Sequence, residues 1–408
     1  MNLDKGRGKC MDLSAFFWVF FGCIAGLLTG LAPGIHANTV AAIASTMSFS
    51  NPLGTSLMIA SMSITHCFAD LIPSILLGAP EEENFLAALP GHRLLLKGKG
   101  LLAVKLAATG ALSAGIISLA FVPVFLLLIR KGEKFFSTII PFALVFVLAT
   151  MVLSEKGFER KAWAIIIIAL SGILGLVVLN GKNFVQEPLF VCIAGFFGAA
   201  TIIESIRKKT ILPEQSKKDA KIRLGDSIEG GALGFAAGII TTILPATGSS
   251  QAAFLLQKIF GKIKTKKFLV LVGGSSVSNM VFGFAGLFAW EKTRNGSAAV
   301  ISGLIESNQQ NLVLIMAECA IGLGFGFIAA RAIAKFFIGK MEKINYGRIN
   351  LAILFVLCAL VLFLSNCFGI IAFATASSIG LIAVSKKARR ANCMAFLIIP
   401  TLFFYLGL

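Results

Sequence analysis

The segment Gly26-Leu-Leu-Thr29-Gly-Leu-Ala-Pro33 returns 212 residues later as Gly238-Ile-Ile-Thr241-Thr-Ile-Leu-Pro245. Beyond each proline the chain reaches a polar pair, Asn38-Thr39 in the first copy and Ser250-Gln251 in the second, and then a short apolar run. In both copies a proline interrupts an apolar segment at the same place. This ordered match predicts an internal duplication of one structural unit.

The composition predicts that both copies lie in a membrane. Of the 408 residues, 57% are hydrophobic and only 14% are charged, which exceeds the apolar content of a soluble core. Many apolar runs approach the ~20 residues that a helix needs to cross a bilayer. Because the runs are continuous rather than alternating, they indicate helices and not a β-barrel. We predict an all-α polytopic protein of the cell membrane, with about 9–11 transmembrane helices, two re-entrant or broken helical segments and no soluble domain.

Charge predicts the orientation of the two copies. Lys and Arg outnumber Asp and Glu by 37 to 19, but they fall in short loops, so cytoplasmic loops explain them better than nucleic-acid binding. The loop 48–55, after the first copy, is uncharged, whereas the loop 261–267, after the second, carries four lysines. Because basic loops are usually cytoplasmic, this difference in charge places the two loops on opposite sides of the membrane, which predicts an inverted-topology repeat.

The duplication also predicts how the chain is divided. We expect a single integral membrane domain, 1–408, made of a first half at 14–203 and a second half at 226–408. The basic stretch 204–225 is predicted to be the cytoplasmic loop that connects the halves.

The two proline-containing breaks predict a binding site. Proline removes a backbone donor and disrupts the preceding turn, so each break leaves polar backbone groups free. The N-terminus of a half-helix then favours a carboxylate or a phosphate. An ordinary proline kink is the alternative for either segment alone, but the recurrence favours a paired transporter site. The predicted substrate-binding residues at the breaks are Pro33, Gly34, Asn38, Thr39, Pro245, Thr247, Gly248, Ser249, Ser250 and Gln251.

Two further groups of polar residues lie within apolar stretches. Ser276 and Asn279 belong to a polar segment that either lines the cavity or makes a hydrogen-bonded helix contact; we include both in the predicted site. His66 and Asp70 share a helix face and are candidates for ion coupling, although an internal hydrogen bond would explain them equally well.

Neither catalysis nor metal binding is predicted. His66 and Asp70 have no third ligand at a suitable spacing, and the eight cysteines show no CxxC pair. The chain also has no His-Glu-x-x-His motif and no convincing Ser/His dyad, so we expect neither an intramembrane enzyme nor a cofactor.

Three segments together resemble the large membrane subunit (TctA) family of tripartite tricarboxylate transporters, in particular its shorter archaeal-type members. They are Gly26–Gly34, the stretch from Leu71 through Pro80-Glu-Glu-Glu-Asn84 to Gly100, and Ile243–Ala253. The resemblance implies an inverted-repeat secondary transporter whose two Pro-Gly loops surround an organic anion. It also implies two partners, a small membrane subunit and an extracytoplasmic solute-binding protein. Ile35-His36 and Pro245-Ala246 depart from the family's usual loops, so tricarboxylate specificity is not implied.

Two functions remain open from the sequence. The first is secondary active transport of a small organic anion of the carboxylate class by alternating access, with a proton or sodium as the coupling ion. The alternative is a translocase for a phosphorylated polyprenyl lipid carrier, because backbone N–H groups at a helix start bind a phosphate as readily as a carboxylate.

Overall fold

The computed structural model describes residues 13–32, 37, 40–41, 51–76, 85–181, 185–207, 213–216, 222–244, 248–261, 263–290, 295–341 and 346–408. Regular structure in these residues is helical, without a strand. In the first half the helices are α1 (Leu13–Leu31), α2 (Pro52–Ala69), α3 (Leu71–Leu76), α4 (Phe85–Leu95), α5 (Gly100–Leu153), α6 (Phe158–Asn180), α7 (Pro188–Ile193) and α8 (Ala200–Arg207). A π-helical turn, Ala194–Ala199, joins α7 to α8.

The second half continues with eight described helices. They are α9 (Leu224–Ile243), α10 (Ser249–Ile259), α11 (Thr265–Trp290), α12 (Gly296–Leu304), α13 (Gln309–Met341), α14 (Tyr346–Leu364), α15 (Cys367–Ser385) and α16 (Ala395–Leu406). A 3₁₀ turn, Arg390–Met394, precedes α16.

The lengths and hydropathy of these helices confirm an all-α, multi-pass membrane protein. Within the described residues, seven helical segments are long and apolar enough to cross a bilayer, and four shorter apolar helices accompany them. The seven are Pro52–Leu76, Gly100–Ile129, Phe158–Asn180, Pro188–Arg207, Thr265–Ala289, Gln309–Lys340 and Cys367–Ser385. Large apolar side chains also point outward, among them Phe142, which is 73% exposed, and Phe363, which is 85% exposed. A surface of this kind is stable against lipid but not against water.

Helix α5 is longer than the sequence predicted. The sequence has two apolar runs here, 101–129 and 135–153, which predict two helices separated near Arg130, whereas the backbone is helical from Gly100 to Leu153, 54 residues. At 1.5 Å per residue this helix is about 80 Å long, well beyond the ~30 Å hydrocarbon core of a bilayer. Pro123 and Pro141 lie inside the helix but do not end it.

The buried apolar side chains form two hydrophobic cores. The first core combines α1 to α4, the N-terminal part of α5 and α9 to α13. The second core combines the C-terminal part of α5 with α6, the α7–α8 segment and α14 to α16. Helix α5 therefore joins the two cores. Both predicted helix breaks adjoin helices of the first core.

The predicted connecting loop 204–225 is anchored at one point to the first half. Its first four residues continue α8, which ends at Arg207. Gln215 is 4% exposed, donates from Nε2 to the Leu95 carbonyl oxygen at 2.9 Å and accepts at Oε1 from the Gly100 amide at 3.1 Å. The connection thus packs against the turn between α4 and α5.

Helices α1 and α2 run in the same direction, and the chain between them includes the helical residues 37, 40 and 41. Contacts between them advance together along both helices: Gly22 with Met58, Gly26 with Met62 and Gly30 with His66. Glycine allows this close approach because its Cα carries no side chain. Two helices of one chain can be parallel only if the segment that joins them leads back to the side at which the first helix began.

Helices α9 and α11 repeat this arrangement. Their contacts also advance together: Gly230 with Val270, Gly234 with Gly274 and Gly238 with Ser278. In this pair the segment that joins the two helices includes α10, which packs against both α9 and α11.

The two parallel pairs run in opposite directions, as contacts through α5 and α13 show. α13 is parallel to α2, since Gly322 contacts Ile64 and Gly326 contacts Phe68. α5 is parallel to α11, since Gly110 contacts Val270 and Ser118 bonds to Ser278. α5 and α13 are antiparallel, since Gly115 contacts Leu323 whereas Gly100 contacts Ile338. It follows that α2 is antiparallel to α11.

Candidate functional site

The second helix break lies between α9 and α10. α9 ends at Ile243, and the next residue, Leu244, is extended, with φ −92° and ψ 108°. Gly248 is also extended, with φ −82° and ψ 170°, and its carbonyl oxygen accepts from the Ala252 amide in the first turn of α10. The first N–H groups of α10 therefore have no partner within the helix, as at the start of any α-helix.

Not every predicted site residue falls within the described chain. Pro33, Gly34, Asn38, Thr39, Pro245 and Thr247 lie outside it. The backbone of Ser249, Ser250 and Gln251 forms the first turn of α10, and Gly248 is its N-cap. In the first half, α1 ends at Leu31, two residues before Pro33.

A threonine near the end of α1 meets a polar side chain of α2. Thr29 Oγ1 lies 3.0 Å from His66 Nδ1 and 3.2 Å from the Gly26 carbonyl oxygen. His66 is 4% exposed, so its ring depends on protein partners rather than on water.

The same contact recurs between α9 and α11. Thr241 Oγ1 lies 2.9 Å from Asn279 Oδ1 and 2.9 Å from the Gly238 carbonyl oxygen. Thr29 and Thr241 occupy the same position in the matched segments, and His66 and Asn279 are the side chains that they contact. The sequence analysis selected both partners but missed both threonines, although each stands in the repeated segment four residues before the proline.

Asp70 lies one turn beyond His66, where α1 ends. It is 3% exposed, it accepts a hydrogen bond from Ser74 Oγ at 3.0 Å, and it interacts electrostatically with His66. The predicted ion-coupling pair is therefore buried next to the break that follows α1. An internal hydrogen bond at Asp70, from Ser74, is present, which is one of the two explanations that the sequence left open.

The corresponding position in the second half is Gly283, and Asn295 covers it. The Asn295 side chain packs against Gly283, and its Oδ1 accepts from the Ala298 amide as the N-cap of α12. The neighbouring Ser297 hydroxyl accepts a hydrogen bond from Ser63 on α2 at 3.0 Å. Sequence reasoning missed Asn295 and Ser297, because only the fold brings this loop to the two helix pairs.

Further buried hydroxyl groups lie in the first core, on the same helices as these contacts and on α5. Ser276, a predicted site residue, is fully buried, as is Ser278, which accepts from Ser118 on α5 at 2.8 Å. Such a set of uncharged donors and acceptors suits a polar solute better than a metal. Within the described residues, no group of three His, Cys, Asp or Glu side chains could hold a metal ion.

The family comparison matches residues 16–395, almost the whole chain, with the model of the tripartite tricarboxylate transporter TctA family. This chain belongs to the TctA family. Membership makes it a component of a tripartite transport system, in which a TctA protein works with a solute-binding protein and a small membrane subunit.

Two curated relatives of this TctA protein are themselves uncharacterized. One, from Methanocaldococcus jannaschii, is 28% identical over 397 residues, which cover 95% of this chain and 98% of the relative. The other, a 52.8 kDa protein from Agrobacterium vitis, is 25% identical over 278 residues, which cover 62% of this chain and 54% of the relative. No solved structure matches the chain.

Proposed function

We propose that this TctA protein is a secondary active transporter of a small organic anion of the carboxylate class, with the substrate held between the two helix breaks. The single observation that carries the proposal is the repeated threonine contact, Thr29 with His66 and Thr241 with Asn279, beside both breaks. Each contact lies between a parallel helix pair, and the two pairs run in opposite directions. Such a pair of sites suits one substrate approached alternately from each side.

Anion binding is favoured by the backbone rather than by charged side chains. The start of α10 presents unpaired N–H groups with the positive end of the helix dipole. The predicted ligands Ser249, Ser250 and Gln251 belong to this first turn. In the first half, we propose the same role for the segment from Pro33 to Thr39.

The two halves are proposed to be inverted-topology repeats, 14–203 and 226–408. The parallel arrangement of each helix pair and the antiparallel relation of α2 to α11 support this division. The similar spacing supports it too, because Thr29 stands 37 residues before His66 and Thr241 stands 38 residues before Asn279. Alternating access would then exchange the conformations of two similar units.

Ion coupling is proposed to involve His66 and Asp70 in the first half. The groups at the matching places in the second half are polar but uncharged. Asn279 matches His66, and Asn295 covers Gly283, the position that matches Asp70. A proton or a sodium ion bound on one side only would make the two halves respond differently to the ion gradient.

Ligand binding by the purified protein tests the substrate class. We expect a dicarboxylate or tricarboxylate to raise the melting temperature in detergent, because a ligand that binds only the folded state stabilises it. Ser250→Leu should abolish the shift by filling the start of α10. Ser302→Leu is the control, since Ser302 is exposed on α12.

The result also separates the transporter from the lipid translocase. Stabilisation by carboxylates, lost in Ser250→Leu and kept in Ser302→Leu, supports the proposed substrate class. Stabilisation by a short-chain polyprenyl phosphate alone, with no response to carboxylates, would reject it and identify a translocase for a phosphorylated lipid carrier.

A further inference from the structure

Glu318 is an acidic residue within a membrane helix, and the site described above does not use it. It lies nine residues after the start of α13, about 14 Å along the helix and inside the apolar segment Gln309–Lys340, which is long enough to cross a bilayer. Its side chain is 7% exposed. Oε2 has no hydrogen-bond partner, and no basic group of the described residues pairs with the carboxyl.

A second buried polar group lies in the same region. The Thr65 hydroxyl on α2 is fully buried and is within hydrogen-bonding reach of the Cys23 thiol. Cys23 on α1 links the two groups, because its thiol lies beside the Thr65 hydroxyl and within electrostatic range of Glu318. The three side chains come from three different helices of the first core.

Helix packing explains why these groups meet. Gly26 contacts Thr65, which brings α1 against α2, and Gly322, one turn beyond Glu318, contacts Ile64. Both contacts need glycine, since a side chain at either position would separate the helices. The packing therefore holds Glu318 against α2 at a fixed depth.

A carboxylate charge without a partner is expensive inside a membrane-spanning bundle, and a bound proton removes the cost. We propose that Glu318 is a proton-binding site within the membrane-spanning part of the protein, with Thr65 and Cys23 as its polar neighbours. The neutral carboxylic acid is the stable form in this buried arrangement. Loss of the proton from Oε2 creates a carboxylate that needs water, so release requires a conformation that opens the site.

The proton site rests on the proposed function in one respect: its role would be to couple transport to a pH gradient. The titratable neighbours are few. Cys23 faces Glu318 from α1, Cys319 is adjacent on α13, and His66, Cys67 and Asp70 lie further along α2. α3, residues 106–129 of α5 and residues 268–289 of α11 contribute none.

Infrared difference spectroscopy tests the site without any substrate. The purified protein is titrated with pH, and the carbonyl stretch of protonated carboxylic acids is recorded. We expect a band that disappears as the pH rises in the wild-type protein and is absent in Glu318→Gln. Glu306→Gln should keep the band, because Glu306 is exposed before the start of α13. Asp70→Asn should keep it too.

Thr65→Val provides a second variant that retains the carboxyl. It should shift the frequency of the band, because the neighbouring hydroxyl is lost. The proposal is wrong if the wild-type band is missing, if it persists in Glu318→Gln or if it is unchanged in Thr65→Val. It is also wrong if sodium at constant pH removes the band, since that identifies a metal-cation site. None of these readouts depends on carboxylate transport, so the substrate proposal can fail separately.

Discussion

At the scale of single residues, the two threonine contacts are the most direct similarity between the two proposed halves. The hydroxyls of Thr29 and Thr241 each lie within hydrogen-bond distance of a carbonyl oxygen of their own helix and of a polar side chain of the parallel partner. A hydroxyl at this position satisfies His66 or Asn279 where water is excluded. A methyl group of the same size could not.

Replacing either threonine by valine should therefore destabilise the protein. We expect Thr29→Val and Thr241→Val each to cost about 1 kcal/mol, the net contribution of one buried hydrogen bond. Unfolding in detergent, followed by circular dichroism, would measure the change. Thr375→Val is the matched control, because the exposed Thr375 bonds only to a carbonyl of its own helix, Ile371. Equal stability of all three variants would contradict the assigned role.

At the scale of helices, close packing at glycine holds each parallel pair together. The Cβ of an alanine at Gly26 would lie 2.8 Å from the Thr65 side chain, and one at Gly238 would lie 2.9 Å from the Asn279 amide nitrogen. Both distances are shorter than ordinary contacts, so the helices would have to move apart.

Gly26→Ala and Gly238→Ala should each destabilise the fold by about 1–3 kcal/mol, the usual cost of overpacking. Gly324→Ala, on α13, should not, because nothing lies within 4 Å of an added methyl group there. Melting temperatures of the purified variants would show the difference. A loss as large in Gly324→Ala would mean that helix propensity and packing do not act as described.

Helix α4 carries a titratable contact outside the membrane-spanning segments. Burial lowers the pKa of His92 below its ordinary value of 6.5; a hydrogen bond to the Ile75 backbone opposes this shift and the nearby Arg390 adds to it. The folded protein thus keeps the imidazole neutral at a pH where the unfolded chain binds a proton. The stability from this group is present above pH 6.5 and is lost as the pH falls below it.

We expect the melting temperature to fall less steeply with acidification in His92→Gln than in the wild-type protein. Glutamine stays neutral and has a similar reach, so it removes the titration with little change in packing. The readout is the difference between the two slopes, because other groups titrate in the same range. Parallel slopes would show that His92 contributes nothing to the pH dependence.

At the scale of the whole molecule, two oppositely directed helix pairs, α1 with α2 and α9 with α11, share one hydrophobic core. α13 of the second half packs along α2, and α5 of the first half packs along α11, so each half supplies a helix to the other. A second core, connected through α5, lies beside this pair. The proposed substrate and proton sites both belong to the first core.

Inverted orientation predicts opposite accessibility of two equivalent loops. In a background without native cysteines, Ser50→Cys stands shortly before α2 in the sequence and Thr265→Cys is the first residue of α11, and membrane-impermeant maleimide should label them from opposite faces. Intact and inside-out vesicles would distinguish the faces. Labelling of both from one face would reject the inverted repeat and with it the alternating use of two similar sites.

Much of the fold could be read from the sequence because lipid imposes a simple rule. Every backbone polar group must be satisfied within its own segment, so long apolar runs can only be helices. The matched segments also predicted helix ends near Leu31 and Ile243, where α1 and α9 do end, and the polar residues within apolar stretches included two of the contacting side chains, His66 and Asn279. Periodicity could not show that α5 continues through Arg130, since charges at a helix end and within a helix look alike in sequence.

The membrane class and the family follow from the sequence alone, since apolar length and local motifs are properties of short segments; the two proline breaks at Pro33 and Pro245 stay predictions. Only the tertiary structure decided which polar groups meet. Asn295 reaches Gly283, Ser63 reaches Ser297, and Glu318 reaches the region of Thr65 and Cys23 through helix packing at glycine. These contacts join residues distant in the chain, and the direction and spacing of packed helices are set by the whole core rather than by any one segment.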